Sequence, residues 1–242
     1  MIYSHQKRCS EAVQSPSKKR SPKPQRTSFS QLCLYHQCSL PFHSTIYHND
    51  VHRISIVHDF ISHEECEEIL LHSWQNLEPS SVVSEDGKGQ KHEGRTGSNT
   101  WLSHDASPVI LGVAERISQM VRMPLENAEP FQIVHYDVGQ KYDYHFDSFD
   151  KDDVHHNDKY VKTGGQRLLT VLGYLRDVPK GGETGFNRLG LNVQPRKGSI
   201  IVWYNVKEGT NERDDWSQHA GLPVLEGDKY AFNLWFREEK FK

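Results

Sequence analysis

The second half of the chain consists of short runs in which apolar and aromatic residues alternate with polar ones. Six such runs follow Pro130, with turn-rich breaks such as DVPKGG and QPRKG between them: FQIVHYDV, YDYHFDSF, QRLLTVLGYL, ETGFNRLGLNV, GSIIVWYNV and KYAFNLWF. This alternation predicts β-strands. Because no helical segment separates the runs, the pattern favours a mainly β fold of antiparallel strands, either a sandwich or a barrel.

Two segments before Pro130 have the spacing of amphipathic helices. In the first, Ser62 and Glu65 form a capping box after the strand-like run RISIVHDFIS. The apolar face predicted for this helix is Cys66, Ile69, Leu70 and Trp74. The second helix is predicted to start at Ser107-Pro108 and to stop before Pro124. Its apolar face would be Ile110, Val113, Ile117 and Met120. We expect both helices to flank one sheet of the β core.

Residues 1 to about 48 differ in composition from the rest of the chain. The first 50 residues contain seven Lys or Arg and two acidic residues, although the whole chain has a formal net charge of −3. The stretch SPSKKRSPKPQRTS shows no apolar periodicity, which predicts a disordered basic tail over residues 1–48 and one folded domain over residues 49–242. KKRSPKPQR is a candidate nuclear-targeting signal, and a solvated tail without such a role is the alternative.

Several other classes of protein are disfavoured. No run of about 18 apolar residues and no apolar core of a secretory signal occurs, so we expect no membrane segment and, by default, a cytoplasmic or nuclear location. The four cysteines have no metal-like spacing and predict no disulfide framework. The glycines of SEDGKGQKHEGRTGSNT match no phosphate-binding pattern, and no nucleic-acid partner is expected. The oligomeric state stays open.

The stretch YDYHFDSFD, residues 142–150, holds the first candidate chemistry. In an extended strand, His145 and Asp147 project to the same face. His219, in WSQHAGLPVLEGDK, is the best candidate for a third ligand. Two imidazoles and one carboxylate leave open positions on a metal, as in non-haem Fe(II) oxygenases. An HxD triplet alone is a weak signal, because surface hydrogen-bonding groups have the same pattern and His155-His156 offers a decoy.

Lys229 adds a second signal. It opens the alternating strand YAFNLWF, where an ammonium that points into a barrel is costly unless it meets an anion. If 2-oxoglutarate chelates the iron through its 2-oxo acid end, its far carboxylate needs a cationic anchor, and Lys229 suits that role. The alternative is a solvent-facing residue on an edge strand.

The order of these motifs resembles the prolyl 4-hydroxylase family of Fe(II) and 2-oxoglutarate dioxygenases. The resemblance covers residues 52–240 and rests on GRTGSNTWL, ENAEPFQIVHY, HYDVGQKYDYHFD, GGQRLLTVLGYL, GGETGF, WSQHAGLPVLEGDK and NLWF. It implies a double-stranded β-helix, or jelly-roll, core. The tail lies outside it.

The resemblance also implies roles for individual residues. Fe(II) would be bound by His145, Asp147 and His219, and the distal carboxylate of 2-oxoglutarate by Lys229. The co-substrate pocket would be lined further by Tyr136, Thr170 and Trp235. Near the peptide substrate it places Arg95, Glu129, Tyr142 and Arg167, of which Tyr142 is expected to reach the substrate at the iron. The alternative for the residues of the co-substrate pocket is ordinary barrel packing. The alternative for Arg95 and Arg167 is a surface salt bridge.

The implied reaction is the hydroxylation of peptidyl proline with release of succinate and CO2, with ascorbate to restore oxidised iron. An extended or polyproline II peptide is the expected partner. The alternatives are a hydroxylase of another side chain, a non-catalytic metal- or peptide-binding β-barrel, and a zinc hydrolase, in which Lys229 would have no role. Two departures from the family concern the substrate: the charged segment DSFDKDDVHHNDKYVKTGG, and Arg237 in a place where many members have histidine.

Overall fold

The computed structural model describes residues 46–49, 52–80, 82–83, 89–90, 94–150 and 162–241. Of the predicted tail, residues 1–45 lie outside this range, as do His155-His156 and most of the charged segment around them. Residues 46–48, also assigned to the tail, form part of the first strand.

Sixteen strands and two α-helices make up the described part of the chain. The strands are β1 Ile46–Asn49, β2 Ile54–Val57, β3 Glu78–Pro79, β4 Val82–Val83, β5 Gly89–Gln90, β6 Ser98–Leu102, β7 Phe131–Tyr136, β8 Tyr142–His145, β9 Arg167–Tyr174, β10 Lys180–Gly181, β11 Thr184–Phe186, β12 Leu191–Val193, β13 Ile200–Tyr204, β14 His219–Gly221, β15 Val224–Glu226 and β16 Lys229–Arg237. The helices are α1 His63–Leu71 and α2 Pro108–Val121.

Two antiparallel sheets form the core. The larger has eight strands in the order β1-β2-β13-β9-β16-β7-β6-β3, and the smaller has four in the order β12-β11-β14-β8, counted over the described residues. Strands far apart in sequence are therefore neighbours, and this arrangement brings β8 and β14 together in one sheet. The prediction of a mainly β, antiparallel core with flanking helices is confirmed.

The apolar core has two parts. One includes residues of both helices and the outer face of the large sheet, such as Phe131 and Phe232. The other fills the interior of the barrel, where Val134, Trp203 and Ala231 are buried. Period-two alternation along each strand sends one set of side chains to the helices and the other into the barrel. In the described residues, no helix is long and apolar enough to cross a membrane.

The helix starts agree with the sequence, but one helix end does not. Ser62 and Glu65 form the predicted capping box, and Ser107 caps α2 with Pro108 in its first turn. The prediction that Trp74 belongs to the buried face of α1 is wrong, because the helix ends at Leu71 and Trp74 is 53% exposed in a 3-10 turn. Just beyond the helix end, the hydroxyl of Ser73 donates to the carbonyl of Ile69 and so satisfies one of the last carbonyls of the helix.

Candidate active site

His145, Asp147 and His219 meet at one end of the small sheet. His145 is the last residue of β8 and lies directly opposite His219, the first residue of β14. Asp147 lies two residues beyond the end of β8, so it is not on the extended strand that the sequence suggested. Their candidate ligand atoms nevertheless all lie within 4.8 Å of one another.

The hydrogen bonds of the two imidazoles direct their free nitrogens toward Asp147. Nδ1 of His145 contacts the carbonyl oxygen of Asp143 at 2.8 Å, and Nδ1 of His219 contacts that of Ser217 at 2.9 Å. A carbonyl can only accept, so each Nδ1 donates, and in the neutral ring Nε2 is then the nitrogen with the lone pair. Nε2 of His145 lies 3.7 Å from Oδ1 of Asp147, and Nε2 of His219 lies 3.6 Å from Oδ2. This donor set fits a divalent metal ion with open positions.

Electrostatics favour the protonation states that a metal requires. Burial would raise the pKa of Asp147, but the neighbouring His219 and His145 outweigh it and hold that pKa below its usual value. Burial, and after it the neighbouring His219, lowers the pKa of His145. The site therefore combines an ionised carboxylate with a neutral His145 imidazole.

The carboxylate of Asp147 is held in place by the large sheet. The hydroxyl of Thr170 donates to Oδ2 of Asp147 over 2.7 Å, and Nδ2 of Asn205 donates to the Thr170 oxygen over 2.8 Å. Trp235 lies directly opposite Thr170 in the sheet and is close enough to Asp147 to lower its pKa. Thr170 and Trp235, both expected in the co-substrate pocket, thus face the carboxylate ligand.

Lys229 points into the barrel beside the triad. It is 2% exposed, lies directly opposite Tyr136, and places its ammonium 5.8 Å from the Tyr136 ring and 5.5 Å from the Tyr174 ring. Burial lowers the pKa of Lys229 to about 7, with a partial opposing effect from Glu183. It forms no ion pair with any of the described residues.

One pocket connects Lys229 with both histidines. It is lined by Val134, Tyr136, Tyr142, His145, Leu172, Thr184, His219, Ala220, Gly221, Lys229 and Asn233. A buried cation without a protein counterion faces the same space as the metal triad, and an anionic ligand there would remove the cost of its burial.

Tyr142, which also lines this pocket, contacts both His145 and Arg95. The Tyr142 ring stacks on the His145 ring with centroids 3.7 Å apart, and the guanidinium of Arg95 lies 4.8 Å from the Tyr142 centroid. Arg95 and Tyr142 are also joined by a backbone β-bridge. Burial raises the pKa of Tyr142, so its hydroxyl stays protonated and able to donate a hydrogen bond.

Glu129, Arg167 and Arg237 form a buried charged cluster next to Trp235. Arg167 binds both carboxylate oxygens of Glu129, at 2.6 Å and 2.8 Å, and Nη1 of Arg237 binds the same carboxylate at 2.9 Å. The Arg167 guanidinium also lies 3.7 Å from the Trp235 ring centroid. Glu129 is 4% exposed, and both of its carboxylate oxygens are bound by arginines, so it holds Arg167 in place. The side chain of Arg167 is more exposed to solvent than that of Glu129.

Sequence reasoning did not assign two contributors. Asn205 supports Thr170, and its signal in the sequence was a polar residue at the end of the apolar run IIVWYN. Arg237 was noted only as a departure, although a basic residue that ends a strand of buried residues signals a buried charge partner. That partner, Glu129, is 108 positions away in the chain, and no local pattern connects the two.

Comparisons with known proteins define the class. Residues 131–237 match the 2OG-Fe(II) oxygenase superfamily. The structure is similar to that of a viral collagen prolyl hydroxylase from Paramecium Bursaria Chlorella virus-1 in its 2OG complex, with a TM-score of 0.61, 27% identity, and coverage of 76% of this chain and 95% of the viral one. The fold is also similar to that of a prolyl hydroxylase from Trichoplax adhaerens bound to a hypoxia inducible factor peptide fragment, with a TM-score of 0.55, 15% identity and coverage of 76% and 83%.

Sequence relatives narrow the class to a family. Prolyl 4-hydroxylase 5 of Arabidopsis thaliana is 36% identical over 210 residues, which cover 78% of this chain and 70% of the relative. Prolyl 4-hydroxylase 2 of the same plant is 32% identical over 211 residues, with coverage of 78% and 68%. The chain belongs to the prolyl 4-hydroxylase family of 2-oxoglutarate- and Fe(II)-dependent dioxygenases. The predicted family, jelly-roll fold, enzyme class, iron and 2-oxoglutarate are confirmed.

Proposed function

We propose that this chain hydroxylates proline residues within peptides, with Fe(II), 2-oxoglutarate and dioxygen as reactants and succinate and CO2 as co-products. The observation that carries the proposal is the unpaired, buried ammonium of Lys229 in the same pocket as the His145, Asp147 and His219 cluster. Metal binding alone needs only the cluster. A lone buried cation beside it requires an anionic co-substrate.

His145, Asp147 and His219 would hold the iron through two Nε2 atoms and one carboxylate oxygen. When bound, iron with its co-substrate supplies the oxidising chemistry, and the protein supplies orientation and shielding from water. Thr170 keeps Asp147 in position through its 2.7 Å hydrogen bond, and the backbone carbonyls of Asp143 and Ser217 fix the two imidazoles. These contacts orient the three metal-binding side chains in the absence of the metal.

Lys229 would bind the distal carboxylate of 2-oxoglutarate, with Tyr136 and Thr184 beside it in the pocket wall. The low pKa of Lys229, about 7, reflects a cation that has lost its water and gained no partner. An incoming carboxylate supplies that partner and stabilises the charged form. The same pocket excludes monoanions that chelate the metal but carry no second charge, because they would leave the ammonium unpaired.

Tyr142, Arg95 and Arg167 would position the peptide over the iron. Tyr142 stacks on the His145 ring and keeps its hydroxyl protonated, so it can donate to a substrate carbonyl next to the reacting carbon. Arg167 lies over Trp235 and offers donors to peptide carbonyls. A polyproline II peptide suits such a surface, since its backbone carbonyls are unpaired and its conformation is already ordered.

The test uses synthetic peptides with a single target residue. The purified chain is incubated with Fe(II), 2-oxoglutarate and ascorbate, and the peptide is analysed by mass spectrometry while succinate is measured in parallel. We expect one oxygen atom to be added to a proline peptide and none to a matched lysine peptide. His219→Ala should abolish both signals, whereas His72→Ala, a control on the remote α1 helix end, should retain them.

The outcomes separate the candidate functions. Oxygen added to lysine and not proline would support the hydroxylase of another side chain. Metal and peptide binding without succinate would support a non-catalytic barrel. Succinate coupled to proline oxidation is the result that the proposal requires.

A further inference from the structure

Trp101 is a large apolar side chain exposed beside the candidate active site. It is 51% exposed on β6, while its neighbour Leu102 is buried in the core at 6%. β3 pairs with Ser98 and Asn99 only, so within the described residues the outer edge of β6 at Trp101 has no strand partner. Trp101 therefore presents much of its indole to solvent at this edge of the sheet.

The strand register puts Trp101 on the face of the sheet that contains the site. Trp101 lies directly opposite Gln132, and Gln132 lies directly opposite Asn233, to which it is also hydrogen-bonded at 3.3 Å. Directly opposed residues share a face, and Asn233 lines the pocket that contains Lys229 and both histidines. Trp101 is therefore at the rim of the surface whose centre is the co-substrate pocket.

Trp235 connects the surroundings of Asp147 with Trp101 through its ring contacts. Trp235, which lies beside Asp147, has its ring centroid 6.0 Å from that of Trp101, with an angle of 51° between the planes. The guanidinium of Arg167 covers the Trp235 face. The Trp235 indole is 4% exposed, so Trp101 is the ring of the pair that a ligand on this surface can reach.

From this geometry we infer that Trp101 forms a second peptide subsite, which takes a pyrrolidine ring one polyproline II turn away from the hydroxylated proline. The inference rests on the proposed function, because it requires a proline peptide at the metal. A polyproline II helix has three residues per turn and advances about 9 Å in that turn. Residues three apart therefore face the same surface, and the Trp101 ring lies 6.0 Å from the ring of Trp235, the neighbour of Asp147.

A flat indole is suited to a proline ring. The pyrrolidine is rigid and apolar, so it stacks on an aromatic face at little cost in conformational entropy, and aromatic-lined grooves recognise polyproline segments in this way. Alanine or lysine at the same position offers less flat surface. Trp101 would thus make the enzyme prefer a repeated proline, spaced by three, over an isolated one.

The experiment varies the peptide and the protein together. Proline peptides are prepared with alanine three residues before or three residues after the target, and control peptides carry alanine two residues before or after it. The control changes reduce polyproline II content equally but lie on another face of the helix. kcat/KM is measured by mass spectrometry for wild type, Trp101→Ala, Trp101→Phe and Trp74→Ala, the last being an exposed tryptophan remote from the site.

We expect kcat/KM of wild type and Trp74→Ala to fall about three- to tenfold when the proline at one of the two positions, three residues before or three residues after the target, is replaced by alanine. This factor corresponds to the free energy of one stacked ring pair. Trp101→Ala should lose this preference and Trp101→Phe should retain part of it, with the KM for 2-oxoglutarate unchanged. Wild type without any preference at either position, or a preference that survives in Trp101→Ala, would overturn the subsite while leaving proline hydroxylation intact. Absence of proline hydroxylation by wild type would overturn the proposed function and the subsite with it.

Discussion

The hydroxyl of Thr170 donates a 2.7 Å hydrogen bond to Oδ2 of Asp147. Asp147 lies in the loop after β8, whereas Thr170 is fully buried on β9 and is held in turn by Asn205. The bond therefore connects a loop residue to the rigid interior of the large sheet. Hydrogen bonds to a metal-binding side chain fix the orientation of that side chain and contribute to metal affinity.

Thr170→Val should weaken metal binding. The substitution keeps the shape of the side chain but removes the donor to Asp147 and the acceptor for Asn205. We expect Fe(II) affinity to fall by about ten- to a hundredfold, as is typical when an outer contact to a metal ligand is lost. Anaerobic isothermal titration calorimetry with Fe(II) measures the change in affinity.

Thr170→Ser is the matched control, because it retains the hydroxyl and loses only a methyl group. It should keep most of the affinity. Equal affinity in wild type and Thr170→Val, with both proteins folded by circular dichroism, would show that Thr170 does not support a metal ligand.

The sequence predicted those site features that depend on local alternation. The period of KYAFNLWF left Lys229 to face either the barrel interior or solvent, and the structure shows it inside, where it is 2% exposed. The same rule suggested that His145 and Asp147 share a strand face, yet β8 ends at His145. Asp147 is instead in the loop after β8, where its carboxylate accepts a hydrogen bond from Thr170, 23 positions away.

Features that depend on strand order could not be derived from local patterns. The direct opposition of His145 and His219 follows from pairing of β8 with β14, two strands that are 74 positions apart at these histidines. The cluster of Glu129 with Arg167 and Arg237 likewise combines the first residue of β9 and the last residue of β16 with a residue that precedes β7. Alternation fixes the face on which a side chain lies, but not the neighbour of its strand.

Lys229→Ala should separate co-substrate binding from metal binding. Removal of the ammonium leaves the distal carboxylate of 2-oxoglutarate buried without a partner, at a cost of about 2 to 5 kcal/mol for a desolvated charge pair. Affinity for 2-oxoglutarate should fall at least about tenfold, since each factor of ten corresponds to about 1.4 kcal/mol. Iron affinity without co-substrate should not change. Anaerobic titration of the metal-to-ligand charge-transfer band gives both values.

Two further variants at this position sharpen the test. Lys229→Met keeps the length of the stem and removes the charge, so it should behave like Lys229→Ala. Lys229→Arg keeps the charge but should rescue poorly, because a wide planar guanidinium must fit a pocket that holds a compact ammonium. An unshifted 2-oxoglutarate midpoint in Lys229→Met would remove Lys229 from the co-substrate site.

Glu129 should make the fold sensitive to acid. Burial opposes its ionisation, but Arg167 and Arg237 outweigh burial and hold its pKa below the ordinary value of 4.5. A group with a lowered pKa in the folded state contributes stability above its unfolded pKa, and this contribution is lost as the pH falls through the folded pKa. The free energy of unfolding should therefore decrease as the pH drops below about 4.5.

Glu129→Gln has no proton to gain in this range, so its stability should vary less with pH, although at pH 7 it should be lower by about 3 kcal/mol because two guanidiniums lose their counterion. Urea unfolding at a series of pH values gives both slopes. Parallel pH profiles for wild type and Glu129→Gln would show that acid sensitivity arises elsewhere.

The limits of the catalytic domain can be tested by truncation. We propose that residues 1–45 are an appendage outside the domain, since they lack apolar periodicity, and that the domain begins at β1. β1 pairs along its whole length with β2, from Ile46 opposite Val57 to Asn49 opposite Ile54. Removal of residues 1–45 should leave both the melting temperature and proline hydroxylation of a short peptide nearly unchanged.

Removal of residues 1–50 strips β1 from the sheet and exposes the edge of β2, whose Ile54 is buried. With about 0.5 to 1.5 kcal/mol for each lost backbone hydrogen bond, the melting temperature should drop by roughly 4 °C or more. A stable protein after the longer deletion, or loss of folding after the shorter one, would place the boundary elsewhere, and differential scanning calorimetry of the two truncated chains decides between them.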